Sequence, residues 1–327
     1  MELLKVQDLK TYFTTKSGSV KAVDGVSFDV EKGKATGLAG ESGCGKTTTA
    51  LSVLRILPSN GEIVGGKMLF KGSDLVQLDE EDMREDIRWK EISIVFQGAM
   101  NALNPVYSIG HQIVEAIMLH EKNIERSEAL ERAGKLMELV GINASRLDNF
   151  AHEFSGGMRQ RSMIAMALAC NPSLLIADEP ATALDVIVAA QVLKLLKELK
   201  ERLELGMILI THDLSIIAEI CEKSAIMYAG KMAEYADVVS IFKAPLHPYT
   251  QGLIGAFPSI TGERVKMTSI PGITPDLLRP PPGCRFHPRC KYAKDVCKTK
   301  EPEFSQIAKG HFVSCHKAVA EAKRQKW

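Results

Sequence analysis

Gly40-Glu41-Ser42-Gly43-Cys44-Gly45-Lys46-Thr47 fits G-x-x-x-x-G-K-[ST], and the sequence on either side decides its meaning. The apolar run Thr36 to Ala39 before it reads as a strand, and a helix is expected from about Lys46 to Leu57. In that setting the glycines let consecutive backbone N–H groups curl around phosphate oxygens, and the helix start adds partial positive charge. Lys46 then reaches the β and γ phosphates and Thr47 ligates Mg²⁺. The competing reading, a Gly-rich turn with a chance Lys-Thr pair, does not need a strand before it and a helix after it. Cys44 reads as a small loop residue.

Further along, Leu174-Leu175-Ile176-Ala177-Asp178-Glu179 ends an apolar strand with two carboxylates. An acid at the carboxyl end of a buried strand is well placed to hold Mg²⁺, and a second acid beside it can polarise an attacking water. Alone, such a pair is more often a helix cap or an ion-pair site; with the phosphate loop present, the catalytic reading is preferred. Phe154-Ser155-Gly156-Gly157-Met158-Arg159-Gln160-Arg161 precedes another helix. Ser155 is an N-cap type, and two glycines after it leave N–H groups aimed outward. Simple capping accounts for Ser155 but not for both glycines. One nucleotide needs one cradle, so a second cradle points to a triphosphate clasped across an interface with a partner subunit.

The rest of the chain supports an α/β protein. Val26, Phe28 and Val30 alternate with Ser27 and Asp29, and Ile92 to Phe96 is a further strand ending at Gln97. From about Asn104 to Cys170, apolar residues recur at spacings of three and four, as in Leu130, Ala133, Met137 and Val140, which predicts an inserted helical region. Leu174–Ala177 and Met207–Ile210 flank an amphipathic stretch, Val186 to Glu204, so a β–α–β alternation and a mostly parallel sheet are expected. After Phe257, Pro258, Pro271, Pro275 and Pro280 to Pro282 exclude long regular elements. A boundary is placed there, with a short solvated helix at Lys317 to Trp327.

Composition excludes other classes. The 327 residues carry 41 Lys+Arg against 40 Asp+Glu, a net +1 that argues against a dedicated nucleic-acid binder. No apolar run approaches the roughly 18 residues of a membrane span. Met1-Glu2-Leu3-Leu4-Lys5 lacks a basic segment followed by an apolar one, so no secretory signal is expected. The seven cysteines are therefore expected as thiols or metal ligands in a reducing compartment.

With these motifs in this order, the sequence resembles the ATP-binding-cassette ATPases over most of residues 1 to 257. The resemblance implies a P-loop NTPase cassette with a mixed sheet core and an inserted helical subdomain at about 98–170. Residues 258–327 follow as a Pro-rich linker and a small Cys-rich C-terminal domain. It also implies roles. Tyr12 stacks on adenine, and Gly40, Ser42, Gly43, Cys44, Gly45, Lys46, Thr47 and Thr48 form the phosphate loop. Thr47, Gln97 and Asp178 attend Mg²⁺, Glu179 is the general base, and His212 contacts the γ-phosphate. Ser155, Gly156 and Gly157 act on the nucleotide of the partner cassette, and Ala183-Leu184-Asp185 crosses the dimer interface. Two departures, Met158 where many members have Gln and Ala181 where a hydroxyl residue is common, remove no required donor or acceptor.

Phe96-Gln97-Gly98-Ala99-Met100-Asn101-Ala102-Leu103-Asn104-Pro105, His247-Pro248-Tyr249-Thr250 and Gly283-Cys284-Arg285-Phe286-His287-Pro288-Arg289-Cys290 are similar to the dipeptide and oligopeptide importer subgroup, in its D-type form. That resemblance implies a peripheral protein on the cytoplasmic face of the membrane, paired with a related F-type ATPase subunit. Two membrane-spanning permease subunits and an extracytoplasmic solute-binding protein complete the assembly. A sister importer for nickel or another small solute, and a soluble cassette ATPase, are the alternatives. The single uninterrupted cassette favours transport over the DNA-repair and ribosome-associated relatives.

Cys284, Cys290, Cys297 and Cys315 are separated by five, six and seventeen residues. Four thiolates suit an iron–sulfur cluster or tetrahedral Zn²⁺. The absence of close C-x₂₋₄-C pairs and the importer resemblance favour [4Fe–4S]. His287, His311 and His316 are read as bystanders, and Cys170 and Cys221 as core residues in helices. The cysteine tail is expected to leave nucleotide binding at Lys46 undisturbed.

Overall fold

The computed structural model describes residues 2–98, 102–256 and 270–325. The Ala99-Met100-Asn101 part of the importer-like motif and the boundary placed at residue 258 lie outside the described residues.

In chain order the strands are β1 (Glu2–Thr15), β2 (Gly18–Glu31), β3 (Ala35–Ala39), β4 (Gly61–Phe70), β5 (Ser73–Asp74), β6 (Ile92–Val95), β7 (Leu174–Asp178), β8 (Gly206–Ile210), β9 (Lys223–Tyr228), β10 (Lys231–Asp237), β11 (Ser305–Ala308) and β12 (His311–Val313). The α-helices are α1 (Lys46–Leu54), a single turn α2 (Glu80–Asp82), α3 (Ile109–His120), α4 (Arg126–Leu139), α5 (Gly156–Ala167), α6 (Val186–Leu203), α7 (Leu214–Ile220), α8 (Val238–Lys243), α9 (Pro248–Gly255), α10 (Asp295–Thr299) and α11 (His316–Gln325). They form two compact units interleaved along the chain. The first holds Met1–Leu3, Val30–Ala35 and Gln77–Ile210, the second Leu4–Asp29, Thr36–Val76 and Thr211–Trp327.

In the first unit β6, β7 and β8 run parallel, with Ile92 opposite Leu174 and Leu174 opposite Gly206. Every residue of β7 and β8 is buried, which is why these strands read as unbroken apolar runs and not as alternating ones. The stretch between β6 and β7 folds as α3, α4 and α5, whose buried faces carry Ile113, Ile117, Ala133, Met137 and Ile164. Of the residues whose spacing predicted this, Ala133, Met137 and Val140 lie on that buried face, while Leu130 is exposed and its neighbour Ala129 is buried in its place. Ser108, Ser155 and Asp185 cap α3, α5 and α6 by accepting the N–H of His111, Met158 and Val188, each cap contributing about 1 kcal/mol.

In the second unit β2, β1, β4 and β5 form one antiparallel sheet, while β3, β9, β10, β12 and β11 are neighbours in that order. Only β3 and β9 are parallel within this second set. Helix α1 stops at Leu54, three residues short of the expected Leu57, because Arg55 turns left-handed (φ 53°) and its N–H returns to the carbonyls of Leu51 and Ser52.

The tail adds short elements of its own. Long regular elements are excluded by its prolines, but the short strands β11 and β12 form a hairpin, and Val313 pairs with Glu234 of β10. The described tail belongs to the same compact unit as the phosphate loop. A segment too short to build a core adds its strand to an existing sheet edge, and packs Val313, Cys315 and Ala318 with Leu246 and Ile307. Among the described residues no helix is long and apolar enough to cross a membrane.

Candidate functional site

The loop between β3 and α1 takes a path that only glycine fits. Gly40, Gly43 and Gly45 have φ of 147°, 77° and 104°. A Cβ on Gly40 would stand 2.1 Å from the Met227 carbonyl oxygen, and one on Gly45 2.2 Å from that of Ala22. Cys44 is buried beneath the loop, its N–H on the Glu41 carbonyl and its own carbonyl accepting from Gly230. Burial pushes its thiol pKa up. Helix α1 starts with no side-chain cap and no acid in its first turn, the arrangement that suits an anion. Lys46, buried, folds back so that Nζ donates to the carbonyls of Gly40 (2.7 Å) and Glu41 (3.1 Å). Ser42, Gly43 and Thr47 are exposed and Thr48 half-buried.

Two more expected residues lie in this unit. Tyr12, on β1, donates its hydroxyl to Asp24 Oδ1 at 2.7 Å, and Lys21 Nζ stands 5.8 Å from its ring centre. Burial and the Asp24 bond push the phenol up to about 12. His212 is exposed, next to Asp213, which caps α7 by accepting the Ser215 N–H.

In the first unit Asp178, 1% exposed, ends β7. Glu179 follows with a left-handed backbone (φ 46°) and donates its N–H to the Ile210 carbonyl. That conformation costs a non-glycine residue about 1–2 kcal/mol, and such strain collects at functional sites. Its Oε2 accepts from Gln97 Nε2 at 3.1 Å and from Thr182 Oγ1 at 2.8 Å. Residues read separately as a strand end and an acid pair are thus brought into contact. Gly157 has a packing reason that sequence reading missed: a Cβ there would lie 2.3 Å from Val188 Cγ1 at the start of α6. Asp185, in the expected interface loop, caps that same helix.

Cys284, Cys290, Cys297 and Cys315 line one pocket, with His247, Phe286, His287 and His316. All four are free thiols. Burial, with added repulsion from the other three sulfurs, pushes Cys284 up to about 12. Among the described residues no group of three or more His, Cys, Asp or Glu is arranged to hold a metal ion. The histidines have other partners: His287 Nδ1 lies 2.9 Å from the Cys284 carbonyl, His311 Nε2 2.7 Å from Glu234 Oε1, and His316 Nε2 2.9 Å from the Lys300 carbonyl. Cys221 is the C-cap of α7 and Cys170 lies in a turn after α5, so neither is within a helix as expected.

Sequence reading missed Glu41, Asp24, Arg285 and Arg289. Arg289 grips Glu41 of the phosphate loop through two bonds, Nη1 to Oε2 at 2.6 Å and Nη2 to Oε1 at 2.9 Å. Arg285 pairs with Asp24 and donates to the Ala229 carbonyl. The available signal was the pair of arginines inside Cys284-Arg285-Phe286-His287-Pro288-Arg289-Cys290, read only for its cysteines.

Residues 23–182 match the ABC transporter family, and residues 233–297 match the oligopeptide/dipeptide transporter C-terminal region. The dipeptide transport ATP-binding protein DppD of Bacillus subtilis is 45% identical over 317 residues, covering 96% of this chain and 94% of that one. The chain is an ABC transporter ATPase. The oligopeptide transport ATP-binding protein OppD of Escherichia coli is 44% identical to this ATPase over 321 residues, 98% of this chain and 94% of the other. A solved structure of cbiO1 from Clostridium perfringens, part of the ABC transporter complex cbiONQ, superposes with a TM-score of 0.63 at 26% identity, covering 74% of this chain and 91% of that one. The fold is accordingly the ABC ATPase cassette, with its mixed sheet and helices.

Proposed function

We propose that this ABC ATPase hydrolyses ATP to drive the import of dipeptides or oligopeptides. The observation that carries the reading is the match of residues 233–297 to the oligopeptide/dipeptide transporter C-terminal region, on a chain with an uncapped phosphate loop and acids at a strand end. In this reading the loop from Gly40 to Thr48 holds the phosphates, and Tyr12 meets the adenine once its ring face is free. Lys46 leaves its own loop carbonyls for the β and γ phosphates. Thr47, Gln97 and Asp178 attend Mg²⁺, and Glu179 takes a proton from the attacking water. His212 meets the γ-phosphate, and Ser155, Gly156 and Gly157 serve the nucleotide of a second cassette. That second cassette is a related F-type subunit, and the pair works at the cytoplasmic face with two permease subunits and a solute-binding protein.

Deleting the chain from its host and following labelled dipeptide, longer peptide and nickel uptake tests the reading. Peptide uptake should fall while nickel uptake stays. The reverse would place the chain in the sister importer, and no change in either would leave a soluble ATPase.

The four tail cysteines are proposed to hold a [4Fe–4S] cluster in preference to zinc. Support comes from the donor chemistry, four thiols that line one pocket; holding the cluster would require them to draw together from their present arrangement. When bound, the group would supply cross-links between segments; ATP hydrolysis uses none of its atoms.

A further inference from the structure

A carboxylate inside a polyphosphate-binding loop is an electrostatic liability, because like charges close together in a partly buried site repel strongly. Glu41 is the second residue of this loop. Its charge is met by Arg289, whose side chain is only 7% exposed. The guanidinium is itself fixed: Nε donates to the Pro271 carbonyl at 2.8 Å, Nη1 reaches the Tyr228 hydroxyl at 3.3 Å, and the group lies 5.7 Å from the Tyr228 ring centre. The Glu41 N–H is held as well, donating to the hydroxyl of fully buried Tyr249 at 2.9 Å. Phe286, three residues before Arg289, sits in an aromatic cluster with both tyrosines, 5.1 Å from Tyr228 and 5.4 Å from Tyr249. A bidentate pair of this kind fixes direction as well as charge.

We propose that Arg289 is a positioning residue of the nucleotide site: through Glu41 it neutralises and orients the phosphate loop, making the cysteine segment part of the ATP-binding apparatus. This rests on the phosphate-loop reading above. The same segment reaches a second nucleotide-side residue, since Arg285 pairs with Asp24 and Asp24 accepts the Tyr12 hydroxyl. Arg285 and Arg289 directly adjoin Cys284 and Cys290, so the backbone that orders the thiol pocket also orders the grip. This proposal runs opposite to the sequence-based expectation that the tail leaves nucleotide binding undisturbed.

The test is ATP, ADP and adenosine affinity of the full chain, measured without turnover, for wild type, Arg289→Ala, Arg289→Lys and Arg289→Ala/Glu41→Gln, with melting temperatures alongside. Arg289→Ala exposes the Glu41 charge to the phosphates and should weaken ATP by about 10-fold or more, within the usual range of coupling between sites. ADP should lose less and adenosine least, because the repulsion scales with phosphate charge. Adding Glu41→Gln removes the repelling charge and should restore most of the ATP affinity. Arg289→Lys keeps the charge without the two-point grip and should fall between. Equal losses for ATP and adenosine, no recovery with Glu41→Gln, or Arg289→Ala affinity within about twofold of wild type would each overturn the proposal. Lys46→Ala separates the underlying reading: if that variant still binds ATP normally, the phosphate-loop assignment itself is wrong.

Discussion

Gln97 Nε2 donates to Glu179 Oε2 at 3.1 Å, joining the end of β6 to the acid that follows β7. Thr182 holds the same oxygen from the other side. Two side-chain donors thus hold the carboxylate of a residue whose backbone is left-handed. Glu179→Gln keeps the shape and removes the proposed base. Turnover should drop by the order of 10²–10⁴-fold while Mg·ATP binding persists. Hydrolysis within about threefold of wild type would mean that Glu179 is not the base.

Gly157 carries a packing constraint whatever it does for a nucleotide. Gly157→Ala drives a Cβ into Val188, whose branched side chain strongly prefers one χ1 rotamer in a helix. A loss of about 1–3 kcal/mol is expected from the overpacking. Val188→Ala in the same chain should recover most of it. Denaturant unfolding of the single and double variants checks this, and equal instability in both would show that the clash is not the cause.

His247 gives a pH signature. It is buried, its Nδ1 accepts the Tyr249 N–H at 3.0 Å, and burial lowers its pKa to about 4. The unfolded chain therefore takes up this proton first, near pH 6.5, and the folded chain only near pH 4. Stability from this group is full above the higher value and declines as pH falls toward the lower one. His247→Asn, which keeps a side-chain acceptor but cannot ionise, should flatten that part of the stability profile; an unchanged slope would remove His247 from the account.

How much of this was legible in the sequence depended on distance along the chain. Gly40 to Thr47 and Leu174 to Glu179 were readable because each is a local pattern whose physics sits within a few residues. Gly157 needed Val188, Glu41 needed Arg289, and Asp24 needed Arg285, pairs that only tertiary packing joins. The β11–β12 hairpin was hidden for a related reason. Its strands are four and three residues long and are held by β10, so their own composition carries almost no signal. Proline content excluded long elements and was silent on the short hairpin.

Anaerobically purified protein should be brown, with iron and acid-labile sulfide near equal amounts. Cys290→Ser should bleach it and, because Arg289 is the preceding residue, also weaken ATP binding. Colourless protein with one zinc per chain would favour the other metal. Intact ATP affinity in the bleached variant would separate the thiol pocket from the Arg289 grip.

The most direct measurement of the central claim is ATP turnover by the chain assembled in lipid vesicles with the proposed second cassette, permease subunits and solute-binding protein, with and without added peptide. Dipeptides or oligopeptides should accelerate hydrolysis, and Glu179→Gln should abolish both the basal and the stimulated rate. A rate indifferent to peptide, or raised only by nickel, would contradict the account.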